Sequence, residues 1–484
     1  MTSVSVEQID LHILNMKTRM PFRYGIASLE AVPHLFVRVE ANFHGRVGTG
    51  VSADGLPPKW FTKNPEAPFS EDLDEMFAVI YQACQLAEAA GPADTVFEFW
   101  LSLYTAQEKW ASETSYPPLL WAFGVSLVER ALIDAFCRIN NLSFERALRQ
   151  NAFGIRLGAI HEELAGFSPA DFLKPEARRT IWARHTVGLT DPITDSEIPD
   201  EERLSDGLPQ SLEASVLAYG LNYLKIKLWG EVEKDLGRLR QIAGLLEAHV
   251  GKGYAFTLDG NEQYTEIEPF KEVWYGLVNE PALSGFMQGL LFVEQPLRRD
   301  VALSPEVGRE LRGWTDRPLL IIDESDGTLT SSAEALDCGY AGTSHKNCKG
   351  VFKGISNACL VANRKRIHPG GDYVLSSEDL ANVGPVAMLQ DLAVVASLGV
   401  SHAERNGHHY FAGLSMYPEE VQADVLDSHQ SLYRRHDSGF PTLDVRGGQL
   451  NLSSVVDAPF GYGFDLDTRQ FVPVDEWSED TLEK

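Results

Sequence analysis

Four stretches decide the fold: Tyr223–Trp229 (YLKIKLW), Tyr254–Asn261 (YAFTLDGN), Leu290–Pro296 (LLFVEQP) and Leu319–Ser325 (LLIIDES). Three are largely apolar runs, as parallel strands buried on both faces require, and all four carry a charged group toward the end. Working outward, Gly342–Asn347 (GTSHKN), Tyr373–Asp379 (YVLSSED) and Ser401–Gly407 (SHAERNG) extend the series downstream, and Ala183–Leu189 (ARHTVGL) starts it. Helical patterns fill most gaps; Leu236, Leu239, Ala243, Leu246 and Val250 share one helical face. Eight strands alternating with helices predict a closed β/α barrel. A doubly wound open sheet is the competing architecture, weakened because no GxGxxG turn follows any of these strands.

Each central strand delivers charge to one rim. Lys225 and Lys227 end the second, Asp259 and Asn261 the third, Glu294 the fourth, Asp323 the fifth and Lys346 the sixth. Successive groups from Lys227 onward are 23 to 35 residues apart, one strand–helix unit each. In a β/α barrel this rim is the C-terminal face, where active sites sit. Three carboxylates crowded there repel one another unless a hard cation sits among them, and oxygen ligands suit Mg²⁺. Histidine and cysteine are missing from those positions, against zinc. A lysine beside a cation has its pKa pulled down and can then take a carbon-bound proton. Lys225 and Lys227, two apart, point to the same side of their strand. Glu324, next to Asp323, is expected to point the other way.

KIK, LDGN, VEQP and IDES resemble, in order and setting, the KxK, D-x-N, E-Q-P and D-E-S signatures of the enolase superfamily, most closely its muconate lactonizing enzyme branch. The resemblance covers the barrel well and the N-terminal region more loosely. It implies a modified TIM barrel of the (β/α)7β kind under an N-terminal α+β capping domain. It also implies Mg²⁺ (or Mn²⁺) on Asp259, Glu294 and Asp323, Lys227 and Lys346 as opposed acid/base groups, and Lys225 binding the carboxylate or tuning Lys227. A Lys base working with Mg²⁺ is a known pattern of this superfamily, so that pairing comes with the resemblance. The sixth-strand motif usually reads KxxKxGG; here KNCKGVFKG leaves Lys346, Lys349 and Lys353 competing, with Lys346 favoured where the strand ends. YVLSSEDL lacks the histidine that the mandelate racemase branch carries after its seventh strand.

Asn261, Glu404, His408 and His409 are candidates for substrate contact from strand ends; structural roles compete for Glu404 and the histidines. Pro21–Glu30 (PFRYGIASLE) resembles the mobile capping loop of that family, and its Arg23 could grip a distal carboxylate. The acidic run Asp191–Gly207 reads as a solvated loop or flexible lid.

The chain divides at the sequence level into residues 1–155 (capping domain), 156–430 (barrel) and 431–484, a segment expected to pack back on the capping domain. In the first part, Ser5–Leu14 and Leu35–Glu40 read as strands, and Glu71–Ala90 and Asp94–Tyr104 as helices, with Asp94 as N-cap. Pro117 and Pro118 open a third helix. With 42 Lys+Arg against 69 Asp+Glu, the net charge of −27 argues against nucleic acid and anionic membranes as partners. A small anionic substrate is compatible with it, since salt screens the distant field over about 8–10 Å. Five cysteines without a CxxC pair, and no visible secretory signal, suit reduced thiols in a cytoplasm. Cys348, among lysines, could have a lowered pKa. The resemblance implies a homo-oligomer.

The expected chemistry is abstraction of the α-proton of a small carboxylate through a metal-stabilised enediolate. The outcome is dehydration, epimerisation or racemisation, or cycloisomerisation, with a lean to acid-sugar dehydration from the histidine-bearing eighth-strand end. A Schiff-base lysine aldolase and a non-catalytic ligand-binding protein on the same scaffold are the alternatives.

Overall fold

The computed structural model describes residues 3–24 and 26–482. Strands β1 (Val4–Tyr24), β2 (Ala27–Phe43) and β3 (Arg46–Gly55) form an antiparallel meander. Helices α1 (Phe69–Ala89), α2 (Val96–Ala111) and α3 (Pro118–Asn140) pack against it. Pro118 occupies the first turn of α3, and Asn141 ends the helix in a left-handed conformation. From Leu119 to Cys137 every residue of α3 is buried, because β3 lies on one side and α1 and α2 on others. Gly50 permits that approach: a Cβ there would meet Ala131 O at 2.1 Å. The second helix is capped by Thr95, whose hydroxyl accepts Glu98 N–H, rather than by Asp94. Strand β3 is not among the expected strands; it follows a tight turn at His44–Gly45, where φ is 57° and 88°.

After α4 (Phe144–Arg149), the barrel follows in order: β4 (Thr180–Val187), α5 (Leu212–Tyr219), β5 (Tyr223–Lys227), α6 (Val232–His249), β6 (Ala255–Asp259), α7 (Ile267–Val278), β7 (Leu290–Glu294), α8 (Pro305–Gly313), β8 (Leu320–Ile322), α9 (Ser331–Cys338), β9 (Gly342–His345), α10 (Val351–Ile367), β10 (Val374–Ser377), α11 (Ala387–Leu398) and β11 (His402–Glu404). The parallel ladder runs β11-β4-β5-β6-β7-β8-β9-β10. The two end strands lie beside each other without a ladder between them among the described residues. Side chains join them instead. Arg184 of the neighbouring β4, fully buried, bridges the two: it donates to Ser376 Oγ (3.0 Å) and Ser377 O (3.2 Å) on β10 and lies 3.2 Å from His402 Nδ1 on β11.

The C-terminal part touches both units. After α12 (Gly407–Tyr410), α13 (Glu419–Ser428) and the hairpin β12 (Tyr433–Arg435)–β13 (Pro441–Leu443), β14 (Gln449–Asn451) pairs antiparallel with β4. Further on, β15 (Val472–Pro473) pairs with β1. No described helix is long and apolar enough to cross a membrane. All five cysteines are free. Burial pushes the Cys348 thiol pKa up, overriding the lysines near it.

Candidate active site

Register places the charges. Lys227 pairs with Asp259, and Asp259 with Glu294, so three adjacent strands present their last residues at one level of the barrel mouth. Beyond the strand ends the backbone turns sharply: Asn261, Glu262 and Gln295 have φ of 48°, 62° and 36°, left-handed values uncommon outside glycine. Gly260 is needed because a Cβ would sit 2.5 Å from Pro296 Cα. Gln295 braces the next loop, its Oε1 accepting Asp323 N–H (2.7 Å) and its Nε2 donating to Ser325 Oγ (2.7 Å). The D-G-N, E-Q-P and D-E-S stretches are thus three loops that hold one another.

The lysines sit among carboxylates. Lys227 Nζ donates to Asp259 (2.6 Å) and Asn261 Oδ1 (3.1 Å). Lys225 Nζ lies at the centre of four carboxylates: Glu378 (2.8 Å), Glu404 (2.8 Å), Asp259 (3.0 Å) and Glu294 (3.3 Å). Lys346 Nζ meets Asp323 (2.8 Å) and Glu378 (3.2 Å) under the Trp60 ring, 4.4 Å from its centre. Burial pulls each ammonium down, but the facing carboxylates win, led by Asp259 at Lys225 and Lys227 and by Asp323 at Lys346; all three pKa values rise. This is opposite to the fall expected beside a cation, because carboxylates, not a positive charge, face these lysines here. Lys349 is spent on Asp323 O, Asp323 Oδ1 and Ser344 O, and Lys353 on Asp326. Of the three competing lysines, only Lys346 lines the pocket.

Glu294, Asp323 and Glu378 bring carboxylate oxygens within 4.8 Å of one another, all buried. Asp259, expected in that group, is held by Lys227 and Lys225 instead. Neither oxygen of Glu294 accepts a hydrogen bond, nor does Glu378 Oε1, although both side chains are 1% exposed; the nearest cations stand off, Lys225 at 3.3 Å from Glu294 Oε2 and Arg184 at 3.5 Å from Glu378 Oε1. Burial, then the charge of Glu378, pushes Glu294 well above the usual carboxylate range. Burial opposes Glu378 too, but Lys225 and Lys346 hold it well below that range. Buried, unsatisfied oxygens of one sign fit a hard cation. The trio could hold one.

Glu324 does not face away from Asp323 as strand alternation predicts. It lines the pocket, because β8 ends at Ile322 and alternation no longer applies. Burial, then Asp323, raises its carboxyl to about 7. Asp379, also lining the pocket, is gripped by Arg405 (2.8 Å).

The N-terminal unit roofs the mouth. The described residues of Pro21–Glu30 continue the strands of the β1–β2 hairpin, with Phe22 paired to Leu29 and Tyr24 to Ala27. Phe22, Tyr24 and Leu29 line the pocket with Pro57 and Trp60. Arg23, between Phe22 and Tyr24, therefore faces the other side, exposed and 3.4 Å from Thr190 Oγ1. Arg299 clamps the roof, donating to Trp60 O (3.1 Å), Phe61 O (2.9 Å) and Glu262, which also meets Lys63 (3.1 Å). The acidic run 191–207 is anchored rather than free: Arg19 pairs with Asp206 (2.6 Å), and Asp191 accepts Tyr410 Oη–H (2.7 Å).

Of the residues expected at the site, Lys225, Lys227, Asp259, Asn261, Asp323, Lys346 and Glu404 line this one pocket, and Glu294 lies against it through Lys225. Glu404 accepts Lys225, Thr186 and Asn406. Arg23, His408 and His409 do not line it. The histidines pack with His185 and Tyr410 in a buried cluster, held neutral by burial: His408 falls to about 4, and burial holds His409 well below the usual imidazole range. Glu378 is a site residue that sequence reasoning missed. Its signal is its place at a strand end, the criterion that finds Glu294, hidden by the polar SSED context.

No family model and no curated protein sequence matches the chain. Solved structures do. A mandelate racemase/muconate lactonizing protein from Herpetosiphon aurantiacus is 15% identical with TM-score 0.58, over 96% of this chain and 99% of its own. Muconate lactonizing enzyme from Pseudomonas fluorescens, complexed with muconolactone, is 14% identical with TM-score 0.58, over 96% and 98%. An enolase from alpha proteobacterium bal199 with bound Mg is 14% identical with TM-score 0.56, over 96% and 97%. The chain therefore has the fold of the mandelate racemase/muconate lactonizing enzymes of the enolase superfamily.

Proposed function

We propose that the protein is a Mg²⁺-dependent lyase or isomerase that removes the proton next to the carboxylate of a small acid. One observation carries this reading. Lys227 and Lys346 enter a single pocket from β5 and the end of β9, on opposite sides of the ladder's middle strands, beside a buried carboxylate trio with oxygens that accept no hydrogen bond. Glu294, Asp323 and Glu378 would hold the cation, with Mn²⁺ as the alternative hard ion. When bound, it supplies Lewis-acid stabilisation of charge on the substrate's carboxylate oxygens. With their carboxylate partners turned toward positive charge, Lys227 and Lys346 are freer to lose a proton and become neutral amines.

The chain's own residues do the proton work. The α-carbon–hydrogen bond breaks, the proton passes to the neutral amine of one lysine, and the electron pair spreads into the adjoining carboxylate. The other lysine, as ammonium, can return a proton to the carbon from its own side. Lys225, ringed by carboxylates, sets the charge around Lys227. Dehydration, epimerisation or racemisation, and cycloisomerisation share this first step. The lean to acid-sugar dehydration loses its ground, because His408 and His409 lie outside the pocket. The carboxylate trio is surplus to a Schiff-base mechanism. Five free thiols suit a cytoplasmic setting.

The test is solvent-deuterium uptake at the α-carbon across a carboxylate library with Mg²⁺, read by NMR. Lys227→Ala and Lys346→Ala should each abolish uptake while metal still binds. Full uptake in both variants would overturn the assignment.

A further inference from the structure

The pocket divides by chemistry. Among the described residues, every charged residue lining it comes from the barrel, and the hairpin and loops above contribute apolar surface. Phe22 is fixed between Tyr410 (ring centroids 4.1 Å, stacked) and Tyr24 (4.9 Å). Tyr24 presents its ring, since its hydroxyl already donates to Pro58 O (2.8 Å). Leu29 lies opposite Phe22 in the hairpin, on the same face. Leu380, on the loop after β10, lines the pocket from the barrel side and is only partly buried.

The cations are distributed in the same way. Those lining the pocket are Lys225, Lys227 and Lys346, each already paired with carboxylates on the floor. The arginines on the hairpin strand are turned elsewhere. Arg23 faces Thr190, and Arg19 is fully engaged with Asp206, Leu208 O, Pro209 O and His409 O. A second carboxylate at the roof would lose its water without a partner, and a polyhydroxylated chain would bury hydroxyls against rings; both are costly.

We infer that the substrate is a carboxylate whose distal part is an uncharged apolar group, a branched alkyl or an aromatic ring, seated against Phe22, Tyr24, Leu29 and Leu380. This rests on the proton-abstraction reading for the reacting end and adds the identity of the other end. The wall is assembled and held by stacking before any ligand arrives, so little ordering is required on binding.

The experiment uses the full-length Mg²⁺-loaded protein and three sets of acids alike around the reacting carboxylate. One set has phenyl or branched-alkyl tails, one a second carboxylate, one a polyhydroxylated tail. Binding is measured by calorimetry and α-deuterium uptake by NMR. The apolar set should bind at least tenfold tighter than the other two and supply the acids that exchange. Leu380→Arg, which places a cation on the wall at a partly buried position, should weaken the apolar set by about tenfold and strengthen the dicarboxylates. Tighter binding of the dicarboxylate or polyol set by the unaltered protein overturns the inference. So does a Leu380→Arg variant that folds, by circular dichroism, yet ranks the three sets unchanged. Apolar acids that bind but do not exchange uphold the distal assignment and sink the proton-abstraction reading instead. Exchange confined to polyol acids does the reverse.

Discussion

Lys346 Nζ lies 4.4 Å from the centre of the Trp60 ring, so a barrel lysine and a residue of the N-terminal unit complete one site. The ring excludes water from the ammonium and attracts it through its π face, an interaction of about 0.5–2 kcal/mol. Trp60→Ala should lower kcat/KM for α-proton exchange about tenfold without changing Mg²⁺ affinity. Exchange kinetics beside metal calorimetry check both halves; unaltered kcat/KM would show that the roof does not serve Lys346.

The third carboxylate of the proposed metal site can be identified by difference. Glu294→Gln, Asp323→Asn and Glu378→Gln should each weaken Mg²⁺ binding at least tenfold by calorimetry, because each removes an oxygen from the buried trio. Asp259→Asn should act mainly on Lys227, its partner at 2.6 Å, by lowering the pKa seen in the pH–rate profile. If Asp259→Asn weakens the metal as much as Asp323→Asn, then Asp259 is a ligand.

Arg299→Ala should both destabilise the protein and loosen its roof. It strands Glu262, a buried carboxylate with 2% side-chain exposure, and frees Trp60 O and Phe61 O. Breaking a buried pair costs about 3–5 kcal/mol. Arg299 is itself 21% exposed and Lys63 still faces Glu262, so about 2 kcal/mol is expected here. Urea unfolding measures the first effect. A rise in KM larger than any fall in kcat would report the second.

Glu129 and Asp391 should each contribute stability that falls as pH rises from about 4 to 8. Burial, ahead of all other causes, raises Glu129 to about 8 and Asp391 to about 8 in the folded chain. Ordinary values are 4.5 and 3.8. At these two positions the folded state then binds more protons than the unfolded state between those limits. Their contribution is complete below the unfolded values and is lost as pH climbs through about 8. Asp391→Asn should raise the urea midpoint at pH 8 relative to that at pH 5. An unchanged difference between the two midpoints would show that Asp391 is ionised throughout.

The barrel is legible in the sequence because its signal repeats: apolar runs such as LLFVE and LLII, each ending in charge, recur at unit spacing. Lys227, Asp259, Asp323 and Lys346 follow from that rhythm. Glu378 escapes because the polar SSED end of the seventh strand lacks the apolar run that singles out Glu294. Glu324 escapes because alternation does not carry one residue past the strand. The histidines mislead because the short helix α12 turns His408 and His409 toward His185 rather than the mouth, a tertiary outcome without local trace. Arg23 is placeable from sequence: once Phe22 and Tyr24 face inward on a strand, the residue between them cannot.

The first barrel strand gains its second neighbour very late. Thr186 of β4 bonds Glu404 of β11, 218 positions downstream, and β14, later still, pairs with β4's opening residues. A ribosome emitting this chain therefore leaves one edge of β4 bare while nearly half the polypeptide is made. Such open edges invite pairing with other nascent chains. Truncations ending before residue 400 should consequently accumulate as aggregates, and recovery from denaturant should depend steeply on protein concentration.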